Sequence, residues 1–462
     1  MNIFFPSRSR HVLRPLAALL GLVCAGLAAA GPSVYPEGTT RLDPARAWPS
    51  YVLFTGGDQL ARLIDLDGKT VHTWRDVGGF TSTLIAPELV QGQRGHVFVT
   101  LENANGRGVD LVPGRAGPQV SKTIGELDWE GQVRWRFGPQ APEGLAQQHH
   151  DWARLANGHT LVLSNLRHAV SGFRQAEVLD DVFYEVDESG AIVWRWVASE
   201  HLEELGFTAA ELALIRQSDN ADFLHVNNLK PVGPNRWFDA GDKRFAPDNL
   251  IFDSRNANVI AIVDRHSGHV VWTLGPDYPA IPRGAAGRHV PRPVDQISGQ
   301  HDAQIIPEGL PGAGNLLVFD NQGEAGYPPV ELPTTGGSRV LEIDPVSRQI
   351  VWQYTAEDSG QPSWAFRSTH ISAARRLPNG NTFIDEGQSG RLFQVTRDGD
   401  IVWEYVNAYP RVGKDPASGK ATSNHQLYRA QPVPLNWVPE GTTHSETALR
   451  AAPFVDGTPR RE

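Results

Sequence analysis

The 462-residue chain has one cysteine and one methionine, no excess of basic charge, and no long apolar run outside its first thirty residues. Each scarcity excludes something. Cys24 lies within the N-terminal apolar segment, so removing that segment leaves no thiol. Disulfides and thiol redox chemistry are then excluded, and the core must hold the fold. Lys plus Arg number 42 against 52 Asp plus Glu, a formal net charge of −10. Wholesale nucleic-acid binding needs a basic face and is not expected. A local Arg and His cluster can still receive a small anion. Also missing are a Gly-rich phosphate loop, a serine nucleophile elbow and a zinc-protease motif.

The apolar run Leu16 to Ala30 follows Arg8, Arg10 and Arg14 and ends Leu-Ala-Ala-Ala before Gly31. This reads as a secretory signal cleaved near Ala30, giving a periplasmic or secreted protein with no membrane span in the mature chain. An uncleaved anchor is the alternative, but the run falls short of the roughly 20 residues a span needs.

What the chain has in quantity is turn residues, 46 Gly and 34 Pro, and 13 Trp. A search for internal repeats explains both. One template recurs six times: a strand, a short turn, then a second strand ending in Trp or another aromatic or apolar residue. The copies are LARLIDLDGKTVHTW (60–74), IGELDWEGQVRWRF (124–137), FYEVDESGAIVWRW (183–196), VIAIVDRHSGHVVWTL (259–274), VLEIDPVSRQIVWQY (340–354) and LFQVTRDGDIVWEY (392–405). Gly68, Gly131, Gly190, Gly268 and Gly399 occupy turn positions that need positive φ. The aligned tryptophans are Trp74, Trp135, Trp194, Trp272, Trp352 and Trp403.

A second half-motif, a His followed by two short strands, precedes most copies: His150 to Leu163, His225 to Ala240, His301 to Asp320 and His370 to Ile384. Two hairpins per repeat make a four-stranded sheet. The fold class expected is therefore all-β, a six-bladed β-propeller. The first repeat has only three strands, so Gln426 to Val433 is expected to complete it and close the ring. A helical insertion over Ser199 to Gln217, opened by the capping box Thr208-Ala-Ala-Glu211, is either a lid or a spacer. The domain reading is signal 1–30, linker 31–46, propeller 47–437 and loose tail 438–462.

Inner strands of a propeller line its channel, so His150, His225, His301 and His370 are expected to form a ring, with His425 as a fifth candidate. Asp151 and Asp302 follow two of them and should face the other way along the strand, each orienting a partner across the blade and not its own neighbouring His. Ser254-Arg255-Asn256 and Phe319-Asp320-Asn321 either present polar groups at the axis or bond blade turns. No local metal-ligand spacing is present, although histidines near a channel can coordinate a transition metal if their distances suit.

Several segments together carry a likeness to a known family: HHDWARLANGHTLVL (149–163), DFLHVNN (222–228), DSRNANVIAIVD (253–264), QHDAQI (300–305) with LLVFDN (316–321), SRVLEID (338–344) and STHISAARRLPNGNTFIDEGQSGRLFQV (368–395). From Leu63 to Tyr405 the sequence resembles the bacterial arylsulfotransferase (aryl-sulfate sulfotransferase) family. The resemblance implies a secreted six-bladed propeller that moves a sulfuryl group between an aryl sulfate and a phenol. A channel histidine is sulfated transiently, with no nucleotide donor and no cofactor.

His225 and His301 match two of the family's active-site histidines. The family's Arg after Phe-Asp-Asn is replaced by Gln322 and its neighbours, and its last-blade histidine aligns near Arg391. The expected catalytic set is then His225, His301 and His370, with His370 as nucleophile. His150, Asn227, Asn321 and either Arg339 or Arg391 are expected to bind substrate, with no metal. A metal-assisted propeller hydrolase and a non-catalytic binding propeller are the alternatives.

Overall fold

A computed structural model describes residues 36–75, 77, 81–103, 121–275, 297–323, 336–415 and 418–443. The expected signal segment and the end of the expected tail lie outside these residues.

The described residues form five four-stranded antiparallel sheets and one five-stranded sheet, the six blades of a β-propeller, together with a two-stranded ribbon. In blade 3, for example, strands Gln148–Arg154, Thr160–His168, Val178–Val186 and Ile192–Val197 run from the axis outward. The two middle strands of most blades are wholly buried, as in Leu250–Ser254 and Val259–Val263 of blade 4, the latter an unbroken apolar run and the former apolar up to Asp253 and Ser254. Outer strands are half exposed, and Ile350–Tyr354 of blade 5 alternates half-buried and exposed positions before the buried Tyr354.

The ring closes at two places. Gln431–Val433 pairs with Tyr51–Thr55 as the inner strand of blade 1. This strand is shorter than the sequence suggested, because Leu427 to Ala430 precede it as buried, non-strand chain inserted among the blades. Gly38–Leu42, expected as linker, pairs with Ile401–Val406 and gives blade 6 a fifth, outer strand.

The recurring tryptophans join blades. An indole N–H donates to the outer-hairpin turn of the next blade in Trp74 to Asp128 O (2.9 Å), Trp272 to Pro345 O (2.9 Å), Trp352 to Arg397 O (2.9 Å) and Trp403 to Leu66 O (2.8 Å). In blade 3 this role falls to Trp196, which donates to Gly268 O (2.9 Å), and not to Trp194. The five turn glycines all have positive φ, while blade 5 places Arg348 (φ 61°) in its turn.

Two local expectations change. The half-motif after His225 does not hold its second strand at Ala240. Asn235 caps the short helix Arg236–Asp239, its side chain accepting from Trp237 and Phe238 N–H, and the strand comes later, at Leu250–Ser254. The insertion contains a 3₁₀ stretch, Ala198–Leu205, then the helix Ala209–Arg216 opened by the Thr208/Glu211 capping box. No helix among the described residues is long and apolar enough to cross a membrane.

Candidate active site

The inner strands of blades 3, 4 and 5 carry register irregularities where they meet the second strand. There the backbone turns left-handed at residues other than glycine: His150 (φ 62°), His225 (φ 52°) and Asp302 (φ 62°), with Ile371 (φ 56°) just before the inner strand of blade 6. Such bulges and strained positions re-aim side chains and concentrate at functional sites. The histidines thus do not occupy one repeated position. His150 and His225 are themselves left-handed, whereas His301 and His370 come one residue before the left-handed residue.

The four nonetheless converge. The rings of His150 and His225 meet edge to face at 4.9 Å. His301 lies in the electrostatic field of His225 and His370, and His150 in that of His225 and His301. Burial, reinforced by these like charges, pushes His150 and His301 well below the ordinary imidazole range. His370 is lowered by burial and by Arg255. His225 goes the other way: burial pulls it down, but the Asp222 carboxylate, 2.5 Å from Nδ1, outweighs that and raises it.

Hydrogen bonding separates the roles further. His301 Nδ1 lies 2.7 Å from Asn321 Oδ1 and 3.0 Å from Gly299 O, so it carries the proton. Its Nε2 accepts the Ile371 backbone N–H at 3.0 Å. Asn321 in turn donates to Ser368 O (2.6 Å) and Ile371 O (2.8 Å). Asn321 therefore ties blade 5 to the loop that carries His370. At His370, Nδ1 is 3.3 Å from Thr369 Oγ1. That hydroxyl donates to Gln388 Oε1 (3.1 Å), so it accepts from Nδ1–H, and the lone pair is on Nε2.

Arg339 and Arg391 are engaged elsewhere. Arg339 Nε donates to Asp320 Oδ2 (2.7 Å). Arg391 is buried between Glu386 (3.1 Å) and Glu404 (2.6 Å). Both stand on third strands, one strand removed from the inner pair, and neighbouring carboxylates capture them. Arg255, which follows the second strand of blade 4, acts on His225, His301, His370 and Asp222, while Arg429 acts on His150. Asn227 is fully buried, and neither polar atom of its carboxamide is hydrogen-bonded among the described residues. His425 contacts Asn407 O (2.8 Å) and Ser423.

Asp151 and Asp302 turn away from their neighbouring histidines, and each reaches the next blade. Asp151 Oδ2 accepts from Leu229 N–H (3.1 Å) and Asp302 Oδ2 from Ala374 N–H (3.3 Å). They also bind cations: Arg429 lies 2.8 Å from Asp151, Lys230 2.6 Å from Asp302, and Arg375 pairs with Asp302. The closing segment brings in Tyr428, whose ring is 5.1 Å from that of His150 and whose hydroxyl donates to Asn227 O (3.1 Å).

Sequence reasoning left Asp222, Tyr428 and Thr369 unassigned. Asp222 stands three residues before His225, the one local signal that was available. Tyr428 reaches the site only through ring closure, which no local pattern encodes.

No curated protein matches the sequence. Among solved structures, a protein of unknown function from Bacteroides caccae is 12% identical, with 77% of this chain and 93% of that one covered at TM-score 0.43. Virginiamycin B lyase from Staphylococcus aureus is 11% identical, with 81% and 87% covered at TM-score 0.32. The arylsulfotransferase (ASST) family model matches residues 123–408, from the third strand of blade 2 to the end of blade 6. That is more than half of the chain, and the chain belongs to the arylsulfotransferase (ASST) family, a family of transferases.

Proposed function

We propose that the protein, exported to the periplasm or beyond, transfers a sulfuryl group from an aryl sulfate to a phenolic acceptor through a histidine in its channel. The observation that carries this reading is the convergence of three low-pKa histidines, one raised histidine and an arginine at one place. A nucleophile and an acid of the same residue type need environments that drive their pKa values apart, and these do.

In the first half-reaction, His370 Nε2 attacks sulfur and the bond from sulfur to the aryl oxygen breaks. His225, protonated and held through Nδ1 by Asp222, gives its Nε2 proton to the departing phenoxide. That proton matters because phenols have a pKa near 10. Arg255 neutralises the sulfonate oxygens, and the Asn227 carboxamide offers a donor and an acceptor. In the second half-reaction, neutral His225 takes the acceptor phenol's proton, the phenol oxygen attacks sulfur, and the bond from nitrogen to sulfur breaks. His301 and Asn321 position the His370 loop, while His150 and Tyr428 offer ring faces for the aryl group.

The test is incubation of purified protein with a chromogenic aryl sulfate, with and without an added phenol. Phenol-stimulated release, absent in His370→Ala and His225→Ala, supports the reading. Folded protein that turns over no aryl sulfate overturns it.

A further inference from the structure

The outer edge of blade 4 carries a second histidine cluster that the channel chemistry does not use. His201 and Glu204, three residues apart in the 3₁₀ stretch Ala198–Leu205, face His269 just before the outer strand Val270–Leu274 of blade 4. Glu204 Oε1 lies 3.0 Å from His201 Nδ1 and 3.1 Å from His269 Nδ1, and the three ligand atoms fall within 4.8 Å of one another. In a tetrahedral zinc site with bonds of about 2.0 Å, neighbouring ligand atoms stand about 3.3 Å apart.

We propose that His201, Glu204 and His269 bind a divalent transition metal, Zn2+ by donor set, with solvent as the fourth ligand. Two neutral imidazoles and one carboxylate suit zinc, since the single negative charge leaves a cationic site that holds water readily. Both imidazoles coordinate through Nδ1, shifting their ring proton to Nε2.

The ligands are held in place before any metal arrives. The His201 ring stacks on Trp196 at 4.9 Å with an 11° tilt, fixing its plane. Glu204 Oε2 accepts the Val270 N–H at 2.8 Å, leaving Oε1 to turn toward the two imidazoles. Such outer contacts orient metal ligands. His269 is largely exposed, which gives an ion a path in.

The consequence is mechanical. His201 and Glu204 belong to the insertion that follows blade 3, and His269 to blade 4. The metal would pin the insertion across this blade boundary, beside the Trp196 to Gly268 bond.

The experiment is titration of chelator-treated protein with Zn2+ by calorimetry, with Co2+ as a spectroscopic probe. Wild type, His269→Ala, Glu204→Gln and the channel variant His150→Ala are compared. The expected result is one equivalent of Zn2+ bound by wild type and His150→Ala and lost in His269→Ala and Glu204→Gln. Tetrahedral Co2+ bands and a zinc-dependent rise in Tm follow the same pattern. Aryl sulfate turnover by His269→Ala stays at the wild-type level. The proposal is overturned if wild type binds no zinc, or if both surface variants bind as much as wild type.

Discussion

The Nε2 of His301 accepts the backbone N–H of Ile371 at 3.0 Å, and in the proposed reaction this contact makes His301 a positioning residue and leaves the attack to His370. With Nδ1–H directed at Asn321 Oδ1, both ring nitrogens of His301 are occupied in holding the loop after blade 5. His370 keeps its Nε2 lone pair and is its neighbour across that loop.

The first prediction follows from this division. His370→Ala should abolish sulfuryl transfer, a loss of at least about a thousandfold, as expected when a covalent nucleophile is removed. His301→Gln, whose amide oxygen can still accept from Ile371, should keep a measurable rate and a native melting profile. Steady-state turnover checks both, and enzyme quenched in denaturant at alkaline pH, where an N–S bond survives, should carry a sulfuryl group in His301→Gln but not in His370→Ala. Equal losses in the two variants would remove the distinction.

The pH dependence should be bell-shaped. His370, with a lowered pKa, must be neutral to attack, so kcat/KM rises through a value below the ordinary imidazole pKa of about 6.5. His225, with a raised pKa, must be protonated to act as acid, so the rate falls through a value above it. Asp222→Asn removes the carboxylate that raises His225 and leaves the burial that lowers it. The alkaline limb should then move to lower pH while the acid limb stays. An unmoved alkaline limb in that variant would assign the acid elsewhere.

Arginines 255 and 391 should separate function from stability. Arg255→Ala removes the cation acting on His225, His301 and His370, and kcat/KM for aryl sulfates should fall by about 10² to 10³ with little change in Tm. Arg391→Ala strands the buried carboxylates of Glu386 and Glu404, and a broken buried pair costs about 3–5 kcal/mol. It should melt early, and whatever remains folded should turn over substrate. Thermal melts and kinetics on the same preparations read both effects.

These contrasts mark how far the sequence could be read. Six strand-turn-strand copies ending near Trp announced the blades, because strand periodicity and turn chemistry are local. The four histidines were legible for the same reason, each lying at or near the start of an inner strand. Arg255 was visible only as one polar residue in a turn, since its value depends on residues of two other blades, His301 and His370, as well as on its own blade's His225. Arg339 and Arg391 looked suitable until their partners were known. Asp320, Glu386 and Glu404 are distant or unremarkable in sequence, yet they take up both guanidinium groups. Gly38–Leu42 escaped notice because an edge strand with one mate carries a weak pattern.

The repeated tryptophans give the last prediction. Trp272 is buried, and its indole N–H donates to Pro345 O in the turn of blade 5. Trp272→Phe keeps an aromatic ring of nearly the same burial but removes the donor, so the Pro345 carbonyl loses its partner at the blade boundary. A buried group left without its hydrogen bond costs about 1–3 kcal/mol, whereas the lost ring area alone would cost less. The same substitution at Trp364, which is 64% exposed, should change stability by no more than about 0.5 kcal/mol. Because Trp272 lies on the outer strand, away from the histidines, aryl sulfate turnover by the folded variant should match wild type. Denaturant unfolding of the two variants measures the difference. If Trp272→Phe proves as stable as wild type, the indole bonds contribute only ring packing, and blade cohesion must come from the apolar surfaces between sheets.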